Sequence, residues 1–210
     1  MNPWMGIPES DYVGHMSSPT VGQRLALSRI LADALRTTQP KAVLVVGCST
    51  GNGFEHIDPA ITARVTGVDI NPAYLRSLGD QFTAPKFALD LRCGDLNELE
   101  FELDAYDLAH AALVFEYLPW RSLLRRLAES LKRRGVLSVV LQRPSMSTPA
   151  VTPTAFTSLR TLESLFQFVD PDAVVNAAQA DGLELRERRT DPLPSGKEFE
   201  VLRLVKTGAK

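Results

Sequence analysis

Three glycines, Gly47, Gly51 and Gly53, break the apolar run KAVLVVGCSTGNGF at residues 41–54. Glycine lets a backbone bend tightly and approach a ligand with no Cβ in the way. In an open α/β sheet, ligands bind in the crevice beyond the carboxyl ends of the strands. Loops of this kind hold phosphates, dinucleotides or adenosyl groups, and spacing separates the three. A nucleoside-triphosphate loop needs G-x-x-x-x-G-K-[ST], and no lysine follows these glycines. A dinucleotide fingerprint has glycines two and then three residues apart. Here the intervals are four and then two, which leaves nicotinamide chemistry as a remote alternative.

Two acids stand downstream. Asp69 in GVDIN closes the next strand-like segment, placed to accept hydrogen bonds from both hydroxyls of a ribose. Asp95 in CGDL follows the third such segment and could accept from an adenine amino group. The plainer reading of either residue is a helix or turn cap, a common use of aspartate.

The elements that must position these residues follow from periodicity. Ser18-Pro19 opens a predicted helix to about Thr38, with Leu27, Ile30, Leu31, Ala34 and Leu35 as its buried stripe. AVLVV (42–46) has the continuous β-branched character of a strand buried on both faces of a parallel sheet. Further strands are predicted at RVTGVD (64–69), at about 87–92, at YDLAHAALVF (106–115) and at GVLSVVLQ (135–142). Asn71-Pro72 starts one intervening helix, and WRSLLRRLAESLKRR (120–134) is another. Residues 1–18 read as irregular, and two helices are predicted within 143–182. Near the end, LELRERRTDPL and KEFEVLRLVK are strand-like and separated only by PSG. So short a connection allows an antiparallel hairpin and forbids a parallel crossover. Alternating strand and helix with this tail predict a doubly wound α/β sheet.

With those elements in place, the chain resembles the class I S-adenosylmethionine (SAM)-dependent methyltransferases. VLVVGCSTGNG looks like their motif I, VTGVDINPAYL like motif II, CGDL like motif III, YDLAHAALVFEYL like motif IV and LKRRGVLSVVLQ like the fifth-strand signature. The likeness covers about residues 40–142 well and the termini in outline. It implies a Rossmann-like sheet of seven strands in the order 3-2-1-4-5-7-6, the last antiparallel, in a single domain over residues 1–210. Residues 1–38 would form an N-terminal cap and helix, and 143–182 a cap insertion. The resemblance places cofactor contacts at Gly47, Cys48, Ser49, Gly51, Gly53, Asp69, Ile70, Asp95, Leu96 and Ala111. Two positions depart from the family pattern: Val45 where an acid is common, and Ser49 where glycine is common. Serine fits there if its backbone is not left-handed, and its hydroxyl could donate to the cofactor carboxylate.

Methyl transfer from a sulfonium is an in-line displacement, so alignment accounts for much of the rate. A base is needed only when the nucleophile is protonated at neutral pH. Glu116, His15 and Tyr117 are the candidates; His110, inside a buried strand, reads as a satisfied core histidine. No [DNS]-P-P-[YFW] motif, Pro-Cys nucleophile or Asp/Asn metal pair follows the fourth and fifth strands, which sets aside base-amine, cytosine C5 and catechol enzymes. The three histidines and two cysteines form no zinc spacing, so no metal is expected. Cys48 and Cys93 would emerge roughly 10 Å apart, too far for an undistorted disulfide.

The basic cluster Arg121, Arg125, Arg126, Lys132, Arg133 and Arg134 reads as the solvated face of a helix whose stripe is Leu123, Leu124, Leu127, Ala128 and Leu131. Net charge is −2 over 210 residues, with no general attraction to nucleic acid or anionic membrane. No apolar run reaches the roughly 18 residues of a membrane span, and MNPWMGIPES lacks a secretion-signal pattern. A cytoplasmic setting is the expectation. The resulting expectation is a SAM-dependent transferase acting on a small molecule, with S-adenosylhomocysteine as product. Trp4, Tyr12, Phe156, Phe166 and Trp120 are candidates for an apolar lining. The alternative is a non-catalytic SAM-binding or scaffold protein of the same fold. Oligomeric state is open.

Overall fold

The AVLVV run forms strand β1 (Ala42–Val46), with every residue buried. Its side chains alternate between two cores. Val43 and Val45 pack with Leu31 and Leu35 of helix α2 (Gln23–Thr38) and with Leu75 and Leu78 of α3 (Pro72–Gln81). Leu44 and Val46 pack on the other face with Leu123, Leu124 and Leu127 of α4 (Trp120–Ser130) and Val174 of α5 (Pro171–Ala180). Helices cover both faces, so the strand has no polar side and no polar residue.

Around β1 lie β2 (Arg64–Asp69), β3 (Ala88–Cys93), β4 (Tyr106–Ala112), β5 (Leu131–Gln142), β6 (Leu183–Pro192) and β7 (Glu198–Lys206). The sheet order is β3-β2-β1-β4-β5-β7-β6. The first five strands pair parallel, and β7 runs antiparallel to both β5 and β6. Order and direction are those the resemblance implied. The structure, a computed structural model, describes residues 2–145 and 149–208. The outermost residues of the expected domain, and 146–148 within the expected cap insertion, lie outside the described residues.

Five local expectations change. The segment expected to be irregular contains a helix, α1 (Glu9–Ser17), which buries His15 and Met16. Helix α2 starts after Gly22 rather than at Ser18-Pro19. The amides of Val21 and Gly22 both donate to Ser18 O (2.9 Å), closing a turn, and Gly22 at φ 67° re-aims the chain. Helix α4 stops at Ser130, short of the predicted 134, because Leu131 pairs with Tyr106 as the first residue of β5. Helix-favouring LKRR is overridden there by sheet pairing. Strand β4 likewise ends at Ala112, where Leu113 turns to φ 55°. Of the two helices expected in 143–182, the first is a 3-10 helix, Thr157–Ser164, and the second is α5.

The N-terminal segment is tied down over the carboxyl edge of the sheet. Asn71 caps α3 by accepting from Ala73 N (2.9 Å), and its amide donates to Trp4 O (3.0 Å) and Ile7 O (3.4 Å). The Tyr74 hydroxyl also donates to Ile7 O (3.1 Å). One side chain thus starts a helix and pins the cap. Asn71→Ala is expected to cost about 1–2 kcal/mol of stability in urea titration. It should also speed hydrogen exchange across residues 3–17.

Candidate functional site

The loop after β1 depends on one carboxylate. Asp69 ends β2, and its Oδ2 accepts from Ser49 N while Oδ1 accepts from Asn71 N, both at 2.8 Å. It thereby clamps the loop to the neighbouring strand and orients the start of α3. Burial raises the Asp69 carboxyl above its ordinary value, opposed by the amides of Asn71, Ser49 and Ile70. A carboxylate has about four lone-pair sites, more than the Ser49 and Asn71 amides take.

Ser49 is left-handed at φ 49°, contrary to the condition set for a serine there. For a residue with a Cβ this costs about 1–2 kcal/mol, and the bond from its amide to Asp69 holds it in place. Its hydroxyl is buried and makes no well-formed hydrogen bond among the described residues; the Tyr12 hydroxyl is a polar neighbour. Burial, with Asp69 and Cys48 close by, pushes that phenol up to about 12.

A cleft opens along the carboxyl ends of the strands. Gly47, Ser49, Asp69, Ile70, Asp95 and Leu96 line it. Four residues expected as cofactor contacts do not. Cys48 turns into the apolar core beneath α2 and α3, and Ala111 into the opposite core. A Cβ on Gly51 would sit 2.2 Å from Leu78 Cδ1, and one on Gly53 would sit 2.9 Å from Leu31 Cδ2. Those two glycines, at φ 82° and 92°, serve the turn and its packing. Val45 also points into the core, so β1 presents no acid to the cleft.

The loop bearing Asp95 is held from two sides. Asp95 Oδ1 accepts from the backbone N and side-chain amide of Asn97, both at 2.8 Å. From α4, Arg126 donates to Leu99 O (2.5 Å) and Leu96 O. This corrects the reading of the basic cluster as wholly solvated: Arg126 ties α4 to the loop. Lys132 lies on β5 and pairs with Asp107 at 3.0 Å.

The other end of the cleft has a different character. His15, Gln23, Gln142, Thr152 and Lys197 face it, beside an apolar wall that includes Leu159, Leu162, Phe166 and Tyr117. Of the five, only His15 was expected. Its Nδ1 lies 2.9 Å from Thr154 Oγ1, and burial, with Lys197 adding, lowers its pKa. Gln142 could have been noticed as the polar residue closing the fifth strand, as Asp69 closes the second. Lys197 carried no sequence signal, because a lysine after PSG reads as a solvated turn.

The remaining candidates separate by position. Glu116 is 1% exposed, and its Oε1 accepts from Gln142 N at 2.7 Å. Its carboxylate is behind the cleft wall, and Oε2 has no partner among the described residues. Burial pushes it up to about 7. Tyr117 lines the cleft, packed edge-on to Trp4 (5.1 Å) and Phe166 (5.5 Å), and burial raises its phenol far above the ordinary value. His110 is a core histidine on Ser138 Oγ (3.1 Å), lowered to about 4 by burial. Among the aromatics, Trp4, Tyr12 and Phe166 line the cleft. Phe156 instead packs over Gly14, and Trp120 stacks on Phe115 at 6.0 Å. Cys48 is buried, Cys93 exposed, and both are free thiols. No helix among the described residues is long and apolar enough to cross a membrane.

Residues 43–135 match the family model described as a methyltransferase domain. Among solved structures, the N-methyltransferase NodS from Bradyrhizobium japonicum, in complex with S-adenosylhomocysteine, superposes with TM-score 0.67 at 16% identity, covering 92% of this chain and 91% of that one. A SAM-dependent methyltransferase from Mesorhizobium loti gives 0.63 at 16% identity, covering 83% and 96%. The [4+2]-cyclase SpnF gives 0.67 at 13% identity, covering 88% and 82%. No curated protein matches the sequence. The sheet order and these superpositions give the chain the seven-stranded, Rossmann-like fold that these structures share, and its residues 43–135 match the methyltransferase-domain model. The matched segment contains the Gly47, Asp69 and Asp95 end of the cleft, whereas His15, Gln142, Thr152 and Lys197 all lie outside it.

The buried Glu116 makes a pH signature. Its folded pKa lies above the unfolded value, so its contribution to stability is intact below about pH 4.5 and is lost as pH rises through about 7. Above that, the penalty is on the order of 3 kcal/mol. Glu116→Gln keeps the Oε1 acceptor and removes the charge. It should stabilise the protein by about 1–3 kcal/mol at pH 8 and flatten the pH 5–8 stability profile in urea unfolding.

Proposed function

We propose that this protein, a single domain over residues 1–210, is a SAM-dependent methyltransferase. It would move a methyl group from SAM to a small-molecule acceptor by in-line displacement and release S-adenosylhomocysteine. The observation that carries this reading is the two-ended cleft. Asp69, Asp95 and the unpartnered Ser49 hydroxyl stand at one end, and a walled chamber stands at the other. The donor set suits an adenosyl group: Asp69 for the ribose diol, Asp95 for the adenine amine, and the Ser49 hydroxyl for the amino-acid carboxylate. Bound there, SAM would supply an electrophilic methyl on a sulfonium.

What the chain itself contributes is alignment and exclusion of water. The cap pinned by Asn71 and Tyr74 brings Trp4, Tyr12 and His15 over the sheet edge. If the acceptor carries a proton, His15 is the base the geometry favours. It faces the cleft, and burial keeps it neutral at pH 7. Tyr117 stays protonated and so is no base, while Glu116 positions Gln142 from behind the wall. A near-neutral net charge fits a diffusible acceptor better than nucleic acid or a membrane surface.

A second reading keeps the pocket without methyl transfer. The cyclase SpnF shares the fold, and a fold does not dictate a reaction. A non-catalytic SAM-binding scaffold is the simplest form of that reading, favoured by Val45 in place of an acid.

Calorimetry with SAM, S-adenosylhomocysteine and NAD tests the first step, and binding of NAD alone would end the methyltransferase case. Asp69→Ala should weaken SAM binding by about 1–3 kcal/mol; an unchanged affinity would show that the ribose lies elsewhere. Turnover of any small acceptor would exclude the scaffold.

A further inference from the structure

The acidic and basic groups facing the cleft stand at opposite ends of it. Asp69 and Asp95 stand at the ends of β2 and β3, whereas Lys197 and His15 lie at the end where β5 closes with Gln142. Lys197 immediately precedes β7, which pairs with β5. From β2 to β7 is four strand spacings, roughly 19 Å at about 4.8 Å each. Only 2% of Lys197 is exposed, and its Nζ donates to Ala150 O (2.6 Å) and Gln142 Oε1 (3.4 Å). An ammonium has three donors, so these acceptors leave one over. Burial lowers the Lys197 ammonium to about 8, with no acid beside it to offset the shift.

A second polar group shares this wall. The Thr152 hydroxyl is buried and has no hydrogen-bond partner among the described residues. Both amide ends of Gln142 are engaged nearby, Oε1 by Gln23 and Lys197, and Nε2 by Ala150 O (3.0 Å). A buried cation without a counter-charge is costly, and at a cavity wall an entering anion relieves that cost. The same cleft has an apolar lining that includes Leu159, Leu162 and Phe166.

We propose that Lys197 and Thr152 form an anion subsite, and that the methyl acceptor is an organic acid whose carboxylate seats there and whose apolar body fills the chamber. The word acceptor rests on the methyltransferase reading; the anion subsite does not. A carboxylate could also come from the amino-acid end of the cofactor. The position of Lys197, three strands beyond the β1 loop, favours the acceptor.

Phenylacetate and its neutral counterpart phenylacetamide are the probes, titrated by NMR into the protein with and without S-adenosylhomocysteine. Phenylacetate should bind at least tenfold more tightly. Lys197→Met should abolish that preference, Lys197→Arg should retain part of it, and Thr152→Val should reduce it several-fold. Circular dichroism establishes that each variant folds, and Thr152→Val carries the test if Lys197→Met does not. Equal affinity for the two probes, or an undiminished preference in the variants, overturns the subsite. S-adenosylhomocysteine and 5′-methylthioadenosine, which lacks the amino-acid end, separate the two carboxylate sources. S-adenosylhomocysteine affinity within twofold of wild type in Lys197→Met supports the acceptor. A tenfold loss confined to S-adenosylhomocysteine overturns that assignment. A wild-type protein that prefers phenylacetate but binds no S-adenosylhomocysteine would refute the cofactor reading and support the anion subsite.

Discussion

The hydrogen bond from Ser49 N to Asp69 Oδ2 is the constraint on which the site depends. It joins the loop after β1 to the end of β2, so neither can move alone. It also holds a non-glycine residue in a left-handed conformation. The other Asp69 oxygen takes the Asn71 amide, and Asn71 in turn caps α3 and grips the N-terminal segment. Loop, helix start and cap are therefore parts of one hydrogen-bonded unit. Such chains of buried polar groups are rigid when satisfied and costly when broken.

This unit serves only one half of the cleft. The other half is assembled from elements far apart in sequence: α1, the end of β5, the segment around 150–152 and the hairpin turn before β7. Its polar residues are less fully satisfied. Among the described residues Glu116 Oε2 and Thr152 Oγ1 lack partners, and Lys197 lacks a counter-charge. Unsatisfied buried groups lower stability, and they gather where a ligand would be received. One half is thus a hydrogen-bonded unit built on Asp69 that holds a left-handed Ser49, and the other is a meeting of distant elements around an uncompensated Lys197.

Much of the fold was legible because it rests on local signals. A continuous apolar run marked β1, Asn71-Pro72 marked the start of α3, and the PSG link forced the hairpin. The seven-strand order itself came from resemblance of motifs rather than from periodicity. The misread segments were places where neighbours overrule propensity. Leu131 joins β5 because Tyr106 is there to pair with it, and α1 forms within a stretch punctuated by Pro8 and Gly14. Arg126 looked solvated until the loop carbonyls of Leu96 and Leu99 were found beneath it.

By itself, the sequence determined the sheet, the glycine loop and the acids Asp69 and Asp95, because each belongs to a short motif with its own spacing. It could not determine which loop residues face outward. Gly51 and Gly53 turn toward Leu78 and Leu31, and Cys48 toward the core, since helix packing decides their direction. Nor could it bring together His15, Gln142, Thr152 and Lys197. Residues up to 182 positions apart meet only when the antiparallel β7 returns beside β5 and α1 folds over the same edge. That meeting is a product of tertiary topology, and no local pattern encodes it.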